Sequence, residues 1–175
     1  MFDKPAFAGH ESVHHIFDAK TGLRAIIAIH STLRGPAAGG CRMWNYATAD
    51  DAFTDALRLS EGMSYKNAMA DLPLGGGKSV IWGNSKTDKT PDLFRALGRA
   101  IESLNGKYWS AEDVGVDAGD ELAVREGAVL GLELVGRREL GRHLVELHAA
   151  VQLAEPVAHA AEVGEALEVR HVQAD

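Results

Sequence analysis

The 175-residue chain has one cysteine, Cys41. No internal disulfide can form, and a metal site would have to rest on histidine and carboxylates. No run of 18 apolar residues occurs, which excludes an apolar membrane-spanning helix. The opening stretch MFDKPAFAGHESVHH lacks the apolar core of a secretory leader. These absences lead to the expectation of a cytoplasmic protein with no membrane partner. The formal net charge is −7, so there is no basic excess of the kind a general nucleic-acid surface needs. No G-x-G-x-x-G turn is present, so no dinucleotide seat of the Rossmann type is expected. What remains is ordinary for a globular domain, with 46% hydrophobic and 25% charged residues.

A further absence is local. Residues 117–175 contain no Lys, Ser, Thr, Ile, Phe, Tyr, Trp, Met, Asn or Cys. They also carry the whole charge imbalance, with 5 Arg against 12 Asp and Glu, whereas residues 1–116 balance 13 against 13. The ten residue types used are the set encoded by codons beginning with G or C. A shift of reading frame in a GC-rich gene, near codons 115 to 118, would produce that alphabet. The alternative is a genuine low-complexity acidic tail, helical or disordered. His143 and His148 in this stretch are five apart, which is not the spacing of a helical metal pair.

Residues 1–116 read as alternating strands and helices, an α/β pattern. ESVHHIFD and LRAIIAIH, joined by AKTG, predict a hairpin. His14 and His15 are adjacent and fall on opposite strand faces, so they form no chelating pair. GPAAGGCRMW predicts a glycine-proline loop leading into a strand. Thr48 and Asp51 make a capping signal for a helix over 49–70 that carries Lys66 in its last turns. Thr90-Pro91 opens a second helix ending near Asn105-Gly106. KYWSAED predicts a strand with Glu112 and Asp113 at its end.

Between the first helix and a short strand SVIWG lies LPLGGGKSV, residues 72–80. Gly77-Lys78-Ser79 ends like a phosphate loop, but Leu72 stands where that motif needs glycine, and Pro73 has no N–H to offer. The glycines instead suggest a backbone that a small ligand can approach. Lys66, Lys78 and Asp113 all sit at element ends, which can converge on one cleft. Two ammonium groups brought together would lower at least one lysine pKa and make it a base, with a carboxylate at hand to exchange a proton. Solvated surface lysines are the plain alternative.

GPAAGGCRMWNYATADDAFTDALRLSEGMSYKNAMADLPLGGGKSVI, followed by KYWSAEDVG, resembles the leucine, valine, phenylalanine and glutamate dehydrogenase superfamily over roughly residues 10–116. The resemblance implies that 1–116 is the family's catalytic, substrate-binding and oligomerisation domain: a mixed sheet flanked by helices, without the Rossmann domain. It implies an NAD-dependent oxidative deamination of an L-amino acid to a 2-oxo acid and ammonium, with no seat for NAD in these residues. Lys78 would be the catalytic base, Asp113 would assist proton transfer at the amino group, and Lys66 with the backbone of Gly39 and Gly40 would hold the α-carboxylate. Glutamate-specific relatives resemble GPYKGG at the first loop. Here Ala38 stands in place of that lysine, which favours an apolar side chain. A homo-oligomer is implied for the intact family member. Two readings follow: a dehydrogenase portion inactive on its own, or a stand-alone substrate domain that associates with full-length subunits.

Overall fold

The computed structural model describes residues 2–135, with side chains through residue 128. The rest of the expected tail, including His143 and His148, lies outside the described residues.

The described residues form five strands and three helices. They are β1 (Ser12–Asp18), β2 (Leu23–Ser31), β3 (Ala37–Trp44), α1 (Ala49–Met69), β4 (Gly75–Trp82), α2 (Pro91–Glu102), β5 (Tyr108–Glu112) and α3 (Ala118–Val135). The strands form one mixed sheet in the order β1-β2-β4-β3-β5. β1, β2 and β4 pair antiparallel, and β3 runs parallel to both β4 and β5. The expected α/β class with a helix-flanked mixed sheet holds.

Local signals account for the helices. Thr48 and Asp51 close a reciprocal capping box on α1: the Thr48 hydroxyl accepts from Asp51 N–H at 3.1 Å, and the Asp51 carboxylate accepts from Thr48 N–H at 3.0 Å. Thr90 caps α2, with Pro91 in its first turn. Alternation along the strands then divides the core in two. Ile26, Ala28 and Val80 face Ala52, Phe53, Ala56 and Leu57 of α1. Leu23, Ile27, Met43 and Ile81 face Leu93, Phe94 and Leu97 of α2, with Ala123 and Val124 of α3 in the same cluster. The expected boundary after Val116 thus falls just before a helix packed into that core. A Cβ on Gly98 would collide with the Val124 carbonyl, which shows how closely α3 approaches α2.

Two expectations are corrected. GPAAGG is already strand from Ala37, and β4 begins at Gly75 rather than at Ser79. The glycines lie inside strands because protein, not a ligand, fills the space where their side chains would be. A Cβ on Gly76 would strike Ser64 and the Ser60 carbonyl of α1, and one on Gly77 would strike the Tyr108 ring. A strand geometry also removes what remained of the phosphate-loop reading.

Candidate active site

Lys78 lies on β4, two residues before Val80, and so points to the α1 side of the sheet. Arg42 is the register partner of Val80 on β3, and shares that side. Asp113 follows β5 two residues after Ala111, the partner of Gly40, and is brought to the same side. The three meet on one oxygen. Lys78 Nζ lies 2.8 Å from Asp113 Oδ2, and Arg42 Nε donates to that same atom at 2.9 Å. Arg42 Nη1 also reaches Asp55 Oδ2 of α1 at 3.1 Å, and the Tyr46 hydroxyl donates to that carboxylate oxygen at 2.6 Å.

Lys78 is only 4% exposed, so its charge is largely taken out of water. Burial pushes its pKa below the ordinary lysine value; Asp113 opposes the shift and the Arg42 guanidinium adds to it. Arg42 is thus a cation that assists the lowering, and the sequence reading did not single it out. Burial pushes the Asp113 carboxyl up, but Lys78 and Arg42 outweigh it and hold the group below the usual range. An ion pair in such a place costs desolvation, and removing either partner would leave an uncompensated buried charge.

Gly40 borders the pair directly, since a Cβ there would fall 2.8 Å from the Asp113 Cβ. Gly39 lies under α1, where its Cβ would meet the Met63 side chain, and its carbonyl accepts from the buried Tyr108 hydroxyl at 2.8 Å. Lys66 is half-buried in the last turns of α1, after Met63 and next to Asn67. The Asn67 amide donates to the Gly75 carbonyl at 2.6 Å and to the Ala38 carbonyl at 3.3 Å. The structure thus joins Lys78 and Asp113 in direct contact with Gly40 beside Asp113, and sets Gly39 under Met63 of α1, the helix that carries Lys66 in its last turns.

A cleft of about 550 Å³ opens beside Arg42, between Trp44, Tyr46, Asp55, Arg58 and Val114. It adjoins the Lys78–Asp113 pair through Arg42 and does not contain it. Among the described residues no group of His, Cys, Asp or Glu is arranged to hold a metal ion. The pair is equipped for proton transfer: a buried amine of lowered pKa beside a carboxylate kept ionised. Sequence reasoning missed Arg42, Asp55 and Asn67. The one available signal was the spacing of Gly40 and Arg42, which puts both on one face of β3.

Residues 10–124 match the model of the Glu/Leu/Phe/Val dehydrogenase family, dimerisation domain. The match runs past Val116, where the resemblance was expected to stop. The chain is 52% identical over 120 residues to a phenylalanine dehydrogenase of Bacillus thermotolerans, covering 69% of this chain and 31% of that one. It is 55% identical over 111 residues to a leucine dehydrogenase of Geobacillus stearothermophilus, covering 63% and 30%. Among solved structures, an L-tryptophan dehydrogenase from Nostoc punctiforme superposes with a TM-score of 0.66 at 44% identity, covering 68% and 35%. The chain spans about a third of the length of the curated relatives it matches. No described helix is long and apolar enough to cross a membrane.

Proposed function

Since the chain belongs to the Glu/Leu/Phe/Val dehydrogenase family, we propose that it supplies the substrate side of an NAD-dependent oxidative deamination of an apolar L-amino acid to its 2-oxo acid and ammonium. The observation that carries the reading is the buried Lys78–Asp113 pair at 2.8 Å. Lys78, once neutral, takes a proton from the water that adds to the substrate carbon. Asp113 exchanges a proton with the substrate nitrogen. Lys66 and the backbone of Gly39 and Gly40 hold the α-carboxylate, which needs a fixed cation and backbone donors. Ala38, 1% exposed, stands where glutamate-specific relatives carry a lysine, and an alanine cannot pair a second carboxylate, which favours an apolar leucine, valine or phenylalanine side chain.

NAD would accept the hydride. The described residues do not fit it: the sequence has no G-x-G-x-x-G turn, and the glycine-rich run is a strand packed under α1.

The test is calorimetric titration with 4-methyl-2-oxopentanoate. Binding should occur and should weaken at least about tenfold in Lys66→Gln, the loss of one charge-assisted contact. Preferential binding of 2-oxoglutarate would overturn the apolar assignment.

Association with a second copy or a full-length subunit is favoured by a separate observation. β1 pairs only with β2 among the described residues, and its Phe17 is 73% exposed. Light scattering should return a mass at least twice that of the chain.

A further inference from the structure

We propose that Arg42 is a positioning residue, which shares the Asp113 carboxylate with Lys78 and thereby sets the pH at which the Lys78 amine gives up its proton. The geometry is specific. Both cations approach the same oxygen, Asp113 Oδ2, at 2.8 and 2.9 Å. A carboxylate bonded to one ammonium alone would tie that proton down. One already engaged by a guanidinium has less to offer, and the guanidinium charge itself repels a second cation. Arg42 cannot lose its own proton, so its field stays fixed while Lys78 titrates.

Arg42 is itself held. Its other arm reaches Asp55 Oδ2, which also accepts from Tyr46, so the guanidinium bridges α1 to the end of β5. A lysine has no fork for two carboxylates at once. Other polar groups around Lys78 have different partners or positions. Cys41 of β3 is fully buried, and its thiol is held neutral mainly by that burial. Glu121 of α3 and Tyr108 of β5 belong to the network beneath the sheet. From α1 come Asp55, through Arg42, and Lys66 in the last turns. Asp113 touches Lys78 directly, and Arg42 meets it through the shared Asp113 oxygen.

This inference rests on the reading of Lys78 as the base, and its test does not need turnover. The Cε resonance of Lys78 can be followed against pH in the 175-residue chain carrying ¹³C-lysine, with the signal assigned by its loss in Lys78→Arg. Arg42→Gln should raise the Lys78 midpoint by about one pH unit, the scale of losing an adjacent like charge. Asp55→Asn should move it the other way, because Arg42 then keeps its full field. Arg42→Lys should recover more than half of the Arg42→Gln shift. A merely structural role would give no such opposed pair. Midpoints unchanged in both Arg42→Gln and Asp55→Asn, or moved in the same direction, would overturn the proposal. If Arg42→Gln does not fold, the absence of a downward shift in Asp55→Asn does so alone. Titration of the same samples with 4-methyl-2-oxopentanoate separates the two ideas: failure to bind sinks the dehydrogenase reading and leaves the Lys78 result standing.

Discussion

The side chain of Asn67 donates to the main-chain carbonyl of Gly75 at 2.6 Å, across the turn that joins α1 to β4. With its second bond, to Ala38, the same amide fastens the end of α1 to both parallel strands beside Lys66. Asn67 is 5% exposed, so Asn67→Ala would remove donors from buried carbonyls. The expected cost is about 2 kcal/mol. Urea unfolding measures it, and oxo-acid affinity should fall alongside because Lys66 loses its anchor.

Gly76→Ala should be more damaging than an ordinary glycine-to-alanine change. The added methyl collides with Ser64 and with the Ser60 carbonyl, both on α1. The helix backbone has to move, and a loss of about 3 kcal/mol is expected. Gly62→Ala is the control, because its Cβ meets nothing within 4 Å. Equal stability of the two variants would contradict the close packing of α1 on β4.

His10 makes stability fall on the acid side. Its Nδ1 accepts from Ala8 N–H at 3.3 Å, and its Nε2 faces the Leu57 carbonyl and Ser60 Oγ at 3.0 Å. That arrangement needs a neutral ring, and burial holds the pKa below the ordinary value of 6.5. The unfolded chain binds the proton first. The contribution is therefore complete above 6.5 and is lost as pH falls through the lower folded value. Thermal melts at pH 7.5 and 5.5 should show a larger drop for the native chain than for His10→Gln.

Glu121 acts with the opposite sign. Its Oε1 accepts from Ser110 at 2.9 Å, its Oε2 has no hydrogen-bond partner, and burial raises its pKa to about 7. Its contribution is complete below the unfolded value of 4.5 and is lost as pH rises through about 7. Glu121→Gln keeps the shape and removes the charge. It should match the native chain at pH 5 and exceed it at pH 8 in melting temperature.

The restricted alphabet of residues 117–175 leads to a genetic expectation. Sequencing the gene across codons 110 to 180 and translating all frames should reveal another open frame that continues the family pattern to a G-x-G-x-x-G segment. Closed alternative frames would mean that the acidic stretch is authentic.

Much of the architecture was legible because its signals are local. The AKTG hairpin, the Thr48–Asp51 box and the Thr90-Pro91 cap each depend on residues within four positions of one another. The glycine runs were misplaced for the opposite reason. Gly-rich stretches suggest turns by propensity, and only the approach of α1 and Tyr108, distant in sequence, makes glycine the residue a strand needs at Gly76 and Gly77. Lys78 and Asp113 stood out through their pattern. Arg42 did not, since its one signal was its place two residues after Gly40 on β3, and that spacing alone names no partner.

By itself the sequence determined the family and the order of strands and helices up to β5, and it singled out Lys78, because these rest on short motifs and on periodicity. Tertiary structure alone decided what Lys78 touches. Its partners come from β3, from the end of β5 and, through Arg42, from α1, and they meet only because parallel pairing sets Gly40 beside Ala111 and Arg42 beside Val80. The proton affinity of a buried amine depends on how much water is excluded and on which charges lie within a few ångströms. Both are consequences of packing, and no linear arrangement of residues contains them.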